Sequence, residues 1–236
     1  MPGSKRINKY LAESGACSRR GADKLIDEGR VTVNGVVATL GTVINDGDVV
    51  ELDGKAVIPE ESKIYIAFNK PLGVTCTTDR RDPTNIIDYI DYPERIFPIG
   101  RLDKNSSGLI LLTNDGDIVN RLLRAEYEHE KEYIVSVDKN IDEDFKEKME
   151  SGLPVLDQIT LPCEVTILGK RRFSIVLHQG LNRQIRRMCE HLGYRVTKLR
   201  RVRFMNIKIG TLPLGKYRPL TSSEIKSLKE LSSRSK

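Results

Sequence analysis

The chain is short of the features that usually anchor metal, redox or nucleotide chemistry. None of its four cysteines, Cys17, Cys76, Cys163 and Cys189, joins another in a CxxC pair, and its three histidines stand at no ligand spacing from them. Neither a zinc site nor a disulfide framework is expected. No apolar run approaches the roughly 20 residues of a membrane span, and the basic, polar N-terminus lacks the apolar core of a signal peptide. The expectation is a cytoplasmic protein with reduced thiols and no membrane partner. GxxxxGKS, GxxxxGKT, GxGxxG, HExxH and GxSxG are all missing, so nucleotide hydrolysis, dinucleotide redox chemistry, zinc hydrolysis and serine esterase chemistry lack their anchors.

What is present is a localised excess of positive charge. The formal net charge is +6, but residues 171–203 hold ten Lys or Arg against one acid, whereas residues 36–170 hold fifteen against twenty-six. Such density between apolar residues points to phosphate binding, against the plainer reading of a solvated basic face. At 236 residues the chain has room for one large domain or a large and a small one.

Residues 1–52 read as a small basic module. An amphipathic turn carries Ile7, Tyr10 and Leu11, a helix spans about 22–28, and Asn34-Gly35 turns a hairpin between Val31, Val33, Val36 and Val37. Arg6, Lys9, Arg19, Arg20, Lys24 and Arg30 belong to it, either as solvated charges or as contacts to structured RNA. Residues 53–63, polar and aperiodic, read as a linker. Beyond them, strands are predicted at 64–68, 109–112, 133–137, 165–168 and 174–177, with helices at 117–125, 142–150, 182–192 and 222–233. This succession predicts an α+β domain over 64–236, built on a mainly antiparallel mixed sheet flanked by helices.

The most informative stretch is GRLDKNSSGLILLTNDG, residues 100–116. Asp103 lies in a polar loop that feeds a short apolar run, so it sits at the edge of a buried strand. An Asp in a loop is usually a turn former or helix cap, and only its context makes it a catalytic candidate. A glycosidase or RNA N-glycosylase would need a second placed carboxylate. Asp115, in an Asn-Asp-Gly turn, and Asp117, at a helix N-cap position, fill structural roles instead. A non-catalytic ribosome-binding or assembly factor is the other rival, since basic helices need no chemistry.

The motifs also carry a family resemblance. CSRRGADKLIDEGRVTVNG, from Cys17, resembles the helix-turn-strand core of the S4 RNA-binding domain. GRLDKNSSGLILLTNDG, KEYIV at 131–135 and GLNRQIRRMCEHLGYRVTKLRRVR at 180–203 resemble one group of ribosomal RNA pseudouridine synthases, which joins the A-type enzymes of the small ribosomal subunit to the B-, E- and F-type enzymes of the large one. NKPLGV at 69–74 and LPLGKYRPL at 212–220 extend the resemblance over essentially the whole chain. HEKEY at 129–133 and RRMCEHLGY from Arg186 are most similar to the F-type enzymes, which act on 23S ribosomal RNA in bacteria.

The resemblance implies cofactor-free isomerisation of uridine to pseudouridine after base flipping. Its RNA partner would be 23S ribosomal RNA, free or within an assembly intermediate of the large ribosomal subunit, met by a monomer. Asp103 would be the catalytic group, attacking C1′ or removing a ribose 2′ proton. Arg186 would keep it ionised. Tyr133 would stack on the flipped base and help remove the C5 proton, although a core tyrosine is the plainer reading of that position. Arg101 would fill the space the base leaves. Leu199 reads as pocket wall or core. Asn182, Arg183, Gln184 and Arg187, with Lys198, Arg200, Arg201 and Arg203, would hold phosphates, since almost no acids are interleaved with them.

Overall fold

The computed structural model describes residues 4–59, 62–123 and 129–233. Cα packing divides it into two units. One runs to Lys63 and takes in Pro93–Arg95 and Asn114–Gly116; the other holds the remainder.

In the first unit the order is β1 (Lys5–Arg6), α1 (Ile7–Glu13), α2 (Arg19–Asp27), β2 (Val31–Val33), β3 (Val36–Val37), β4 (Val43–Ile44), β5 (Val50–Leu52) and β6 (Lys55–Ala56). Ser18 starts α2, its hydroxyl accepting from the Gly21 amide at 3.0 Å. Ile7, Leu11, Ala22 and Ile26 pack the two helices onto Val31, Ile44 and Val50. Asn34 and Gly35 both have positive φ, 52° and 79°, as the predicted type I′ hairpin requires. The stretch expected to be a plain linker contains β6. Asp53 and Gly54, with φ of 52° and 72°, make a second such turn that pairs β6 with β5. The short, polar Lys55–Ala56 strand has no periodicity to reveal it.

The second unit contains β7 (Tyr65–Lys70), α3 (Ile86–Ile90), β8 (Phe97–Ile99), β9 (Ser107–Thr113), α4 (Gly116–Leu123), β10 (Lys131–Val137) and α5 (Glu143–Glu150). It continues with β11 (Pro154–Val155), β12 (Gln158–Ile159), β13 (Glu164–Gly169), β14 (Arg172–Leu177), α6 (Gln184–His191), β15 (Val196–Phe204), β16 (Ile207–Lys208), β17 (Tyr217–Pro219) and α7 (Ser222–Ser233). A nine-stranded sheet runs β13-β14-β10-β15-β9-β7-β17, with β16 on β15 and β8 on β9. Within it β15 and β9 are parallel and the other pairs antiparallel, so the mixed α+β architecture is as predicted. Phe145 and Met149 of α5 and Ile185, Met188 and Cys189 of α6 cover one half of the sheet. Ile118 and Leu122 of α4 and Leu228 of α7 pack with Tyr65, Ala67, Leu109 and Leu111.

Three predicted boundaries shift for local reasons. Asp142 is the cap of α5 rather than its first residue, its carboxylate accepting from the Phe145 amide at 2.9 Å. The helix expected over 182–192 starts at Gln184, because Arg183 adopts φ 53°, outside helical space. Asp117 lies in the first turn of α4, where a carboxylate faces the positive end of the helix, and not at its cap; residues 124 and 125 of that expected helix lie outside the described residues.

Candidate active site

The second unit encloses a cavity of about 860 Å³ lined by the loop carrying Asp103, by β10, β14 and β15, and by the segment entering α6. Asp103 is the one carboxylate among its described lining residues. Its loop is pinned from several sides. The Ser106 amide donates to the Asp103 carbonyl at 3.0 Å, and the Gly73 amide to the Lys104 carbonyl at 2.9 Å. Buried Leu102 packs with Ile86, Ile96 and Ile110, and its amide donates to the Cys76 sulfur at 3.4 Å. Four residues after Asp103, β9 begins, with Leu109 to Leu112 almost fully buried. A half-buried acid is thus held on rigid backbone.

Beneath it lies a residue the sequence reading missed. Lys70 is fully buried, and its Nζ donates to the carbonyls of Pro71 and Val74 at 2.9 and 2.8 Å. Burial pushes its ammonium below the usual lysine value, while Asp103 favours the charged form. The position stood in NKPLGV, but nothing in that run shows the lysine turning inward.

Arg186 meets the Asp103 loop differently from expected. Its Nη2 donates to the Asn105 carbonyl at 2.7 Å and approaches the Ser106 hydroxyl at 3.4 Å, while Nη1 reaches the Val196 carbonyl at 3.4 Å. No ion pair within 4.0 Å joins it to Asp103 among the described residues, but the carboxylate still favours the guanidinium charge that burial and Arg183 oppose. The arginine ties α6 to the loop through backbone carbonyls, and its influence on Asp103 is through space.

Tyr133 is half-buried on β10 and packs against the apolar clusters on both sides of the cavity. Its register partners are Ile175 on β14 and Arg201 on β15. Leu199, 7% exposed, is both core and cavity wall. Arg101, Asn182 and Arg183 line the cavity and are exposed, so they form its rim. Arg187 braces that rim, its Nε donating to the Asn182 carbonyl at 3.0 Å. Gln184 does not fit a phosphate-binding role. It is 4% exposed, accepts from the Leu181 amide at 3.1 Å and donates to Gln179 at 3.2 Å.

The reading of Lys198, Arg200, Arg201 and Arg203 as one phosphate-binding set is corrected by a strand. They lie on β15, the longest strand of the sheet and one the sequence reading did not predict. Alternation sends Leu199 and Arg201 toward the cavity and the exposed Lys198 and Arg200 to the other face. A bulge then pairs Glu132 with Arg203 but Tyr133 with Arg201, putting Arg203 on the face opposite Arg201. There Arg203 is bound at 2.7 Å to Glu130 and 2.9 Å to Glu132, acids distant in sequence but adjacent across the sheet. Arg201 is 4% exposed, with Nε donating to the Leu109 carbonyl at 2.7 Å.

In the first unit the basic residues also divide. Lys9 pairs with Glu13 and Lys24 with Glu28, each at 3.6 Å, and Arg30 is forked onto Asp53 at 2.6 Å. Arg6, Arg19 and Arg20 are exposed and make no ion pair among the described residues. The last two open α2 in a first turn without acids, where the helix dipole disfavours cations.

Residues 64–191 match the family model described as RNA pseudouridylate synthase, and residues 5–50 match that of the S4 domain. The dual-specificity RNA pseudouridine synthase RluF of Escherichia coli K12 is 50% identical over 97% of this chain and 79% of its own length. The ribosomal large subunit pseudouridine synthase B of Bacillus subtilis is 38% identical over 98% of each. A crystal structure described as a pseudouridylate synthase superposes with a TM-score of 0.70 at 30% identity, over 94% of this chain and 99% of that one.

Proposed function

The chain belongs to the RNA pseudouridylate synthase family, and from that membership we infer that it isomerises uridine to pseudouridine in 23S ribosomal RNA, as a cytoplasmic monomer acting on the free RNA or on a ribosomal assembly intermediate. The observation that carries the reading is the placement of Asp103 as the lone acid among the described lining residues of a cavity whose other side chains are basic, uncharged polar or apolar. Binding alone needs no acid directed into an RNA cleft, because a carboxylate repels phosphates.

The target uridine leaves its stack and enters the cavity, at a cost of a few kcal/mol. Stacking on Tyr133 returns about 1 to 3 kcal/mol of that cost. Arg101, at the rim, occupies the space the base vacates. Asp103 then acts at the ribose, as nucleophile toward C1′ or as base toward the 2′ proton. Lys70 and Arg186 supply a positive field at its carboxylate. Arg183, Arg187 and Asn182 at the rim meet phosphates, and Arg6, Arg19 and Arg20 of the S4 domain meet structured RNA away from the reaction.

Asp103→Asn tests this directly. The purified variant is expected to bind a 23S transcript with near wild-type affinity while pseudouridine formation falls at least about 10³-fold. Mapping pseudouridine in ribosomal RNA from cells with and without the gene identifies the target. Loss of no site would favour a ribosome-binding protein instead.

A further inference from the structure

Asp103 shares the cavity with four cationic side chains, Arg101, Lys131, Arg183 and Arg201. Arg101 and Arg183 are exposed at the rim. Lys131 and Arg201 lie deeper. Arg201 is 4% exposed, and apart from the Nε bond to Leu109 its guanidinium has only the Phe204 ring beside it, 5.7 Å from the centroid, so both Nη atoms are without a protein acceptor among the described residues. Lys131 donates to the His129 carbonyl at 2.8 Å, which leaves two further protons on its Nζ. Burial and the nearby Arg201 charge together lower its pKa to about 8. A buried cation beside a half-buried one, with no carboxylate between them, is costly unless an anion joins them.

The sheet aims both at one place. Register pairs Tyr133 with Arg201 and Lys131 with Phe204, so Lys131, Tyr133 and Arg201 rise from the same face of β10 and β15. Lys131 and Tyr133 stand about 7 Å apart along their strand, roughly the span of a pyrimidine and its substituents.

We propose that Lys131 and Arg201 form the anion site that holds the uracil ring while it is detached from its ribose, an inference that rests on the function given above. When N1–C1′ breaks heterolytically, the electron pair leaves with the base and spreads over N1, O2 and O4. The ribose is balanced by Asp103, which either bonds to C1′ or takes the 2′ proton. The ring must then turn so that C5 faces C1′. Charge attraction from two cations follows the ring through that turn, whereas a fixed set of hydrogen bonds would resist it. C5 bonds to C1′ as Asp103 leaves C1′ or returns the proton to C2′, the C5 proton leaves and N1 takes one up, so product and substrate have the same atoms. Cations placed in advance on the cavity wall act on this charge more strongly than they would in bulk solvent.

Lys131→Met, Lys131→Arg and Arg201→Lys are to be compared in single-turnover assays on a 23S transcript, with affinity measured separately and folding followed by thermal melting. Lys131→Met is expected to slow the chemical step by about 30-fold or more with Kd changed less than about threefold, and Lys131→Arg to recover most of the rate. Arg201→Lys is expected to behave likewise where it folds; Lys131, with one bond to lose, keeps the test valid if it does not. An unchanged rate for Lys131→Met would overturn the proposal, and so would a loss of affinity with the chemical step intact, which would make the pair a phosphate clamp. A wild-type enzyme that makes no pseudouridine in this RNA would instead overturn the function on which the inference rests.

Discussion

Gly108 stands against the backbone of Arg201: a Cβ on Gly108 would lie 2.1 Å from the Arg201 carbonyl oxygen and 2.7 Å from its nitrogen. With φ of 106°, Gly108 also holds a conformation that side-chain-bearing residues avoid. This contact lets β9 and β15 run parallel with Gly108 opposite Arg201, bringing the Asp103 loop beside the cavity-facing arginine. Gly108→Ala is expected to destabilise the domain by on the order of 3 to 5 kcal/mol and to abolish most activity even where it folds. Chemical denaturation and pseudouridine assays check this; wild-type stability would mean that the two strands separate easily.

Arg186 ties the Asp103 loop to β15 by a guanidinium fork onto the Asn105 and Val196 carbonyls, not by a short ion pair. Arg186→Lys keeps the charge and loses the fork, so kcat is expected to fall about 10-fold or more with RNA affinity little changed. Full kcat in that variant would show that charge alone suffices.

The Lys131 ammonium makes the chemical step sensitive to pH. The charged or titratable cavity groups around it are Arg201 on β15, Arg101 and Asp103 before β9, His129 before its own strand, His178 after β14, Arg183 before α6, and Tyr133, while Glu130 and Glu132 are engaged by Arg203. Its folded pKa is depressed, so the positive charge is present below about 8 and is lost as pH rises through that value. The single-turnover rate is expected to decline across that interval in the wild type and to stay level in Lys131→Arg.

The S4 domain is expected to bind RNA through unpaired arginines. Arg19→Ala with Arg20→Ala should weaken RNA binding and reduce the slope of log K against log salt by about 1 to 2. The same change at Lys24 and Arg30, which are already ion-paired, should have a smaller effect. Filter binding at several salt concentrations distinguishes the two pairs.

Much of this was legible in the sequence, for definable reasons. Leu109 to Leu112 announced a buried strand because four apolar residues between turn signals have few other uses, and Asn34-Gly35 named its own turn. Asp103, Tyr133 and Arg186 stood out as candidates because each stands in a run of motif residues. β15 was missed because its Lys and Arg residues mask the alternation of Val196, Leu199 and Phe204, and two register shifts against β10 break the period of two. Lys70 was missed because nothing in sequence marks a lysine that turns inward.

Composition and local pattern therefore determined most of the elements, the basic character of the region 171–203 and the candidacy of Asp103, because those depend on neighbours along the chain. Which arginine stays unpaired and which meets a carbonyl or a glutamate was decided by the tertiary structure alone. Arg201 and Arg203 differ by two positions and should share a face; a bulge separates them, sending one to the cavity and the other to Glu130 and Glu132. Charge is a property of a residue, but the partner it finds is a property of strand register, which is settled only when distant segments pair.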